Sequence, residues 1–274
     1  KLLASSFLDT VYNNIRSLII GKAYSSADLA YYNKGQQLPN LVIVNINTSI
    51  DSVLLPIMAS VQDQEGRVKK MTRRSIQTSS YIIWPMMIGL AACAEPLISL
   101  LLTDKWIPCV PYLRIYCLIF AFQPIHTANL NAIKAVGRSD IFLKLEIIKK
   151  IIGLASIVLT MRYGVMAMAL GLLAITPLNA LINAFPNRKI LNYSIKEQIK
   201  DLVPYILMAG VMGALVWPIQ YLQISRILVI AAQIVTGMIV YIGCSVIFRV
   251  DVFYDLLGIL TGFLRKGSKN GAAE

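Results

Sequence analysis

The sequence has a single histidine, only 14 acidic residues against 26 basic ones, and four cysteines with no short paired spacing. It lacks a glycine-rich phosphate loop, a cluster of metal-ligating side chains and a nucleophile elbow, so the common frameworks of enzymatic chemistry are missing. No catalytic residue, metal or cofactor is expected, and the protein does not read as an enzyme. Cys93, Cys109, Cys117 and Cys244 each sit in or beside an apolar run, which argues against a disulfide framework or a zinc site and for packing. Charged residues make up 15% of the 274-residue chain, too few for an ordinary soluble domain. The chain opens at Lys1, with no targeting segment, and is expected to begin within a longer protein.

What is abundant is apolar: 57% of the residues are hydrophobic and the mean hydropathy is +0.64. A net charge of +12 would suggest nucleic acid in an average composition. In this one it suggests basic membrane loops, with membrane lipids and no nucleic acid as partners. Since a crossing needs about 20 mostly apolar residues, the long apolar stretches predict an all-α polytopic membrane protein with short loops. About eight helices are expected, over 4–20, 39–61, 76–94, 109–132, 143–162, 165–185, 202–222 and 227–248. The first contains Asp9, Asn13 and Arg16 at i, i+4 and i+7, which gathers them on one side of a helix.

Lysine and arginine are concentrated in alternate connections. Arg67, Lys69, Lys70, Arg73 and Arg74 follow the second stretch, Lys134 and Arg138 the fourth, and Arg188, Lys189, Lys196 and Lys200 the sixth. Short loops rich in cations stay in the cytoplasm, so both ends of the chain are expected there. Residues 251–264 pattern as an amphipathic helix lying on the membrane surface, and 188–200 share that character. Glu146 and Lys150 read as a helix ion pair, and Asp104-Lys105-Trp106 as an outer interfacial segment with an aromatic anchor.

Polar residues are uneven along the stretches. The second has Asn40, Asn45, Asn47, Ser49, Asp51 and Ser52; the fourth has Gln123, His126, Thr127, Asn129, Asn131 and Lys134; the sixth aligns Thr176, Asn179 and Asn183 around Pro177. The seventh and eighth are almost purely apolar. Polar groups inside a bilayer cost free energy unless they meet water, a partner or a substrate. This division is what six cavity-forming helices and two lipid-facing ones would produce. Asparagine, serine and threonine also bond neighbouring helices without any ligand, so individual assignments stay open between the two uses.

Several segments resemble a known family. Tyr32-Asn33-Lys34-Gly35-Gln36-Gln37-Leu38-Pro39, Val53-Leu54-Leu55-Pro56, the Arg73-Arg74 pair, and His126-Thr127-Ala128-Asn129-Leu130-Asn131-Ala132 running into Gly137-Arg138-Ser139-Asp140 resemble the bacterial polysaccharide transporters. These are flippases of lipid-linked oligosaccharides within the superfamily that includes multidrug extruders. The resemblance implies two six-helix lobes around a cavity, often followed by two more helices. It assigns this chain a six-helix C-terminal lobe over 1–186, a cytoplasmic amphipathic linker over 187–201, two added helices over 202–248 and a cytoplasmic helix with a tail over 249–274. The partner lobe would lie upstream, and polysaccharide polymerase machinery is a possible further partner.

The implied function is translocation, by alternating access, of an undecaprenyl-diphosphate-linked repeat unit across the bacterial inner membrane for lipopolysaccharide, capsule or exopolysaccharide. On depth and charge, the expected substrate-binding residues are Arg16, Asn13, Asn45, Asn47, Gln123, Asn129, Asn131 and Lys134, with Asp9, Asp51 and His126 as ion-coupling candidates. Guanidinium pairs bidentately with phosphate, which favours Arg16 for the diphosphate. Two other readings compete. Asp9 and Asp51 keep open a cation-coupled multidrug antiporter of the same superfamily, and a membrane glycan acyltransferase would need a catalytic partner for His126.

Overall fold

The computed structural model of the chain describes residues 2–61, 64, 66–258 and 261; within its helices the side chains of residues 2–11, 13, 49, 51 and 53 lie outside that description. The described residues are helical, with short turns between the rods. The order is α1 (Leu2–Ala23), α2 (Ser26–Ser60), α3 (Arg67–Ala92), α4 (Ala94–Leu102), α5 (Val110–Ala121), α6 (Gln123–Ala135), α7 (Ser139–Thr160), α8 (Val165–Ala184), α9 (Asn187–Ile190), α10 (Ile195–Val216) and α11 (Arg226–Ile247). A further helix, α12, occupies residues 251–258; residues 259, 260 and 262–264 of the expected amphipathic segment lie outside the described residues.

Each apolar stretch read from the sequence falls in a helical rod, but the boundaries differ. Residues 39–61 are the latter part of a 35-residue helix that begins at Ser25, where Ser25 and Asp28 form a reciprocal capping box. Pro39 therefore lies inside α2 and does not start it. The fourth stretch is split at Phe122 into α5 and α6, with Pro124 in the first turn of α6, where its missing N–H costs nothing. The third continues beyond Ala92 into α4 through a 68° bend.

Among the described residues, four segments are long and apolar enough to cross a bilayer: Asp104–Ala135, Val165–Ile190, Ile195–Tyr221 and Arg226–Ile247; the bent α3–α4 pair makes five if it counts as one. Helices α1, α2 and α7 have the length, at 22, 35 and 22 residues, but carry more polar side chains. The belt of exposed apolar side chains on the outer helices, Ile151 and Leu159 of α7 and Ile239 and Ile247 of α11 among them, suits hydrocarbon and not water. The chain is an all-α, polytopic membrane protein.

Helix α2 packs on α5, α6, α3 and α1. At Gly35 it meets α5 backbone to backbone: an added Cβ would stand 2.5 Å from Tyr112 Cβ and 2.8 Å from the Leu113 nitrogen. One core lies between α3, α5, α10 and α11 around Ile83, Met87, Leu113, Met208 and Met212. A second, around Ile20, Tyr32, Tyr116 and Met168, joins α1, α2, α5 and α8. Helix α10 packs along α3, and α11 covers α10 and α4, so the two late helices extend the bundle on the α3 side. The four cysteines are unpaired, three of them buried.

Candidate functional site

Two helices present polar groups outward in the middle of this apolar molecule. On α2, Leu41, Val44, Asn45, Thr48 and Ser52 recur at intervals of three and four and are exposed, which places them on one stripe. The Asn45 amide donates to the Leu41 carbonyl at 2.8 Å and the Thr48 hydroxyl to the Val44 carbonyl at 2.8 Å. On the neighbouring α1, Asn14, Leu18 and Lys22 form a similar exposed row. A hydrocarbon environment penalises such rows. The exposed faces of α7 and α11 are apolar by comparison, so the molecule has one face unlike the others.

Arg16 turns the other way. Its Nε and Nη2 are buried and, among the described residues, have no hydrogen-bond partner. Its charge lies within electrostatic reach of the Tyr12, Tyr32 and Tyr116 phenols. Tyr116 donates to the Tyr32 hydroxyl at 2.5 Å, and Lys150 stands over the Tyr12 ring. The site is thus a guanidinium among phenols, on the side of α1 away from its exposed row. Asn47 is also turned inward, with its carbonyl oxygen buried and without a partner among the described residues. The side chains of Asp9, Asn13 and Asp51 lie outside the described residues; their backbones are in α1 and α2.

His126 of α6 meets Asn183 of α8, whose amide nitrogen is 2.9 Å from Nδ1. An NH2 group can only donate, so Nδ1 accepts and a neutral ring carries its proton on Nε2. The carbonyl oxygens of Asn179 and Asn183, one turn apart, are buried and have no hydrogen-bond partner among the described residues. Nearby, Glu146 pairs with Lys149 at 2.5 Å. Gln123 opens α6 and is half-buried, whereas Lys134 is exposed at the other end with its ammonium over the Phe142 ring.

Asn129 and Asn131 are placed differently. Asn129 is fully buried: its amide donates to the Ile125 carbonyl and to Gln198 Oε1 at 2.9 Å, and its oxygen accepts from Asn187 at 2.6 Å. Asn131, on the same helix, is 4% exposed. This cluster continues into a second hub, which sequence reasoning did not single out. The Asp201 carboxylate accepts from Arg73 at 2.6 Å, Gln77 at 3.1 Å and Tyr193 at 2.8 Å. Burial and the adjacent carboxylate push the Tyr193 phenol far above its ordinary range. Together the two hubs fasten α9 and α10 to α3 and α6. The only local sign of this was the Ser194-Glu197 capping box that starts α10.

The Gly137-Arg138-Ser139-Asp140 turn also has a plain structural reading. Gly137 takes a positive φ of 74°, and the Arg138 guanidinium holds both oxygens of Asp140 at 2.9 and 3.0 Å. This fork keeps the Asp140 carboxyl down at about 2. It fixes the short connection from α6 to α7.

Residues 1–111 match the family described as "Polysaccharide biosynthesis protein". The chain is 28% identical over 193 residues to an "Uncharacterized membrane protein in cps region" of Klebsiella pneumoniae, covering 68% of this chain and 40% of that protein. It is 22% identical over 209 residues to the "Lipopolysaccharide biosynthesis protein WzxC" of Escherichia coli (strain K12), covering 75% and 42%. It is also 22% identical over 139 residues to the "Teichuronic acid biosynthesis protein TuaB" of Bacillus subtilis (strain 168), covering 51% and 29%. The chain thus spans less than half the length of these curated relatives. In fold it is similar to the "Lipid II flippase MurJ, inward closed conformation", with a TM-score of 0.74 at 18% identity over 92% of this chain and 54% of that one. The chain is thus similar, over its first 111 residues, to the family described as "Polysaccharide biosynthesis protein", and in fold to a lipid II flippase.

Proposed function

We propose that this chain is the second half of a transporter that flips an undecaprenyl-diphosphate-linked oligosaccharide across the bacterial inner membrane for surface-polysaccharide synthesis. The observation that carries this reading is the exposed polar stripe on α2, flanked by α1. It would be costly against lipid, yet it suits a hydrated furrow closed on its far side by another lobe. The similarity to WzxC, TuaB and the MurJ fold supports the same reading. Helices α1 to α8 form the lobe, α10 and α11 are additions on its lipid side, and the rods cross the membrane eight times with both ends in the cytoplasm. The alternation of basic connections supports that orientation.

In this reading Asn45 of α2 and Gln123 of α6 offer hydrogen bonds to sugar hydroxyls, Asn47 stands inward of them, and Lys134 gathers the diphosphate at the inner mouth. Arg16 stands behind the furrow, poised to receive a diphosphate oxygen when the lobes rock. Asn129 and Asn131 serve by holding α6 in place. Asp9, Asp51 and His126 remain the groups that could couple transport to a proton or another cation. The test is translocation of the lipid-linked oligosaccharide in vesicles containing the complete protein, with Arg16→Ala and Arg16→Lys. Loss in the first and partial recovery in the second are expected. Unchanged flipping in both would remove Arg16 from the mechanism, and no flipping by the unaltered protein would overturn the functional reading as a whole.

A further inference from the structure

Away from the polar face, a cleft of about 390 Å³ opens between the end of α2 and the beginning of α3. Its α2 wall is apolar, with Ile50, Leu54 and Ile57; its α3 wall carries Arg74, Ser75 and Thr78. Arg74 stands 18 residues before Ala92, roughly 27 Å along the helix at 1.5 Å per residue. If the far end of α3 sits at one membrane boundary, Arg74 is therefore at the other, level with lipid headgroups. It belongs to the basic run Arg67, Lys69, Lys70, Arg73 and Arg74, but unlike Arg73 it is not consumed by the buried Asp201. Its partner is Asp255 of α12, at 2.6 Å, and the two side chains are 60% and 45% exposed.

An exposed ion pair contributes little and exchanges readily. The larger groove between α3, α10 and α11 is lined by Met86, Met212, Ile234 and Met238, with Gln233 and Tyr241 as polar members and no charged residue. The α2–α3 cleft is apolar too, but differs from it in having an exchangeable guanidinium, that of Arg74, among its lining residues.

We infer that the α2–α3 cleft is a binding site for an anionic glycerophospholipid, with its phosphate on Arg74 and an acyl chain along Leu54, and that Asp255 of α12 is the displaceable counter-ion occupying Arg74 when the lipid is absent. Charge complementarity and depth favour a bilayer lipid as the occupant. A phosphodiester matches the guanidinium bidentately, and the apolar cleft beside it suits an acyl chain. The inference is independent of the transported substrate; only the leaflet that supplies the lipid rests on the orientation proposed above. Its consequence is that lipid binding frees the Asp255 carboxylate, while Val252, Phe253 and Leu256 keep α12 packed on the core.

The test is native mass spectrometry of the complete protein from nanodiscs of phosphatidylcholine mixed with phosphatidylglycerol. Preferential retention of phosphatidylglycerol is expected. Arg74→Gln should reduce it by about fivefold, the factor that one basic residue near an anionic surface supplies. Leu54→Trp, which fills the cleft, should reduce it as well. Asp255→Asn should increase retention, because it removes the competitor and leaves the guanidinium. Two simple structural partners would instead give the same direction of change for Arg74→Gln and Asp255→Asn. That result would overturn the inference, as would equal retention of phosphatidylcholine, release by inorganic phosphate alone at constant ionic strength, or preferential occupation by undecaprenyl diphosphate. Unchanged melting of the variants in pure phosphatidylcholine nanodiscs distinguishes loss of lipid from loss of fold.

Discussion

Gly35 shows how one residue sets the geometry of the bundle. A glycine inside a helix normally costs about 1 kcal/mol relative to alanine, but a Cβ here would collide with α5 backbone at the Leu113 nitrogen and the Cys109 carbonyl. Neither atom can turn away as a flexible side chain would. Gly35→Ala is therefore expected to destabilise the protein by about 1–3 kcal/mol, against its helix propensity, visible as a lower midpoint in detergent unfolding. Asp201 offers a second test. Its replacement by alanine leaves Tyr193, itself fully buried, without its acceptor, at a cost of about 1–3 kcal/mol. The value of Gly35 was partly legible, since it lies within a quoted family segment. That of Asp201 was not, because its partner Arg73 is 128 residues away in the chain and local periodicity carries no trace of such a contact.

At the scale of the element, apolar length identified the rods, and the capping chemistry decided where they begin. Ser25 with Asp28 starts α2 well ahead of Pro39, and Ser194 with Glu197 starts α10. Ser194→Ala should cost about 1 kcal/mol, and hydrogen exchange should become faster in the first turn of α10 while the middle of the helix is unaffected. The amphipathic pattern of 188–200 suggested a surface segment; it carried no sign that Tyr193 and Gln198 tuck beneath α3 and α6, because burial of single polar residues depends on partners elsewhere in the chain. Conversely, the split between α5 and α6 was signalled by Pro124, which was visible within an apolar stretch long enough to read as one helix.

At the scale of the whole molecule, the decisive feature is the contrast between faces. Polar side chains on α2 and α1 are exposed together, whereas the outward faces of α7 and α11 are apolar. The sequence made the uneven polarity visible, but not which polar groups point out and which are enclosed: Asn45 is exposed, Asn47 is turned inward, and Asn129 is sealed within a network. Helical periodicity sorts residues by side, and only the packed neighbours determine what each side meets. The account's central claim is that the α2 stripe faces water in the working protein. Single cysteines in the complete protein, in native membranes and with Cys244 replaced by alanine, test it through modification by a small charged maleimide. Asn45→Cys and Thr48→Cys should react, and Ile151→Cys and Ile239→Cys should not. Protection of the first two together with the second two would mean that the stripe lies against lipid, contrary to the account.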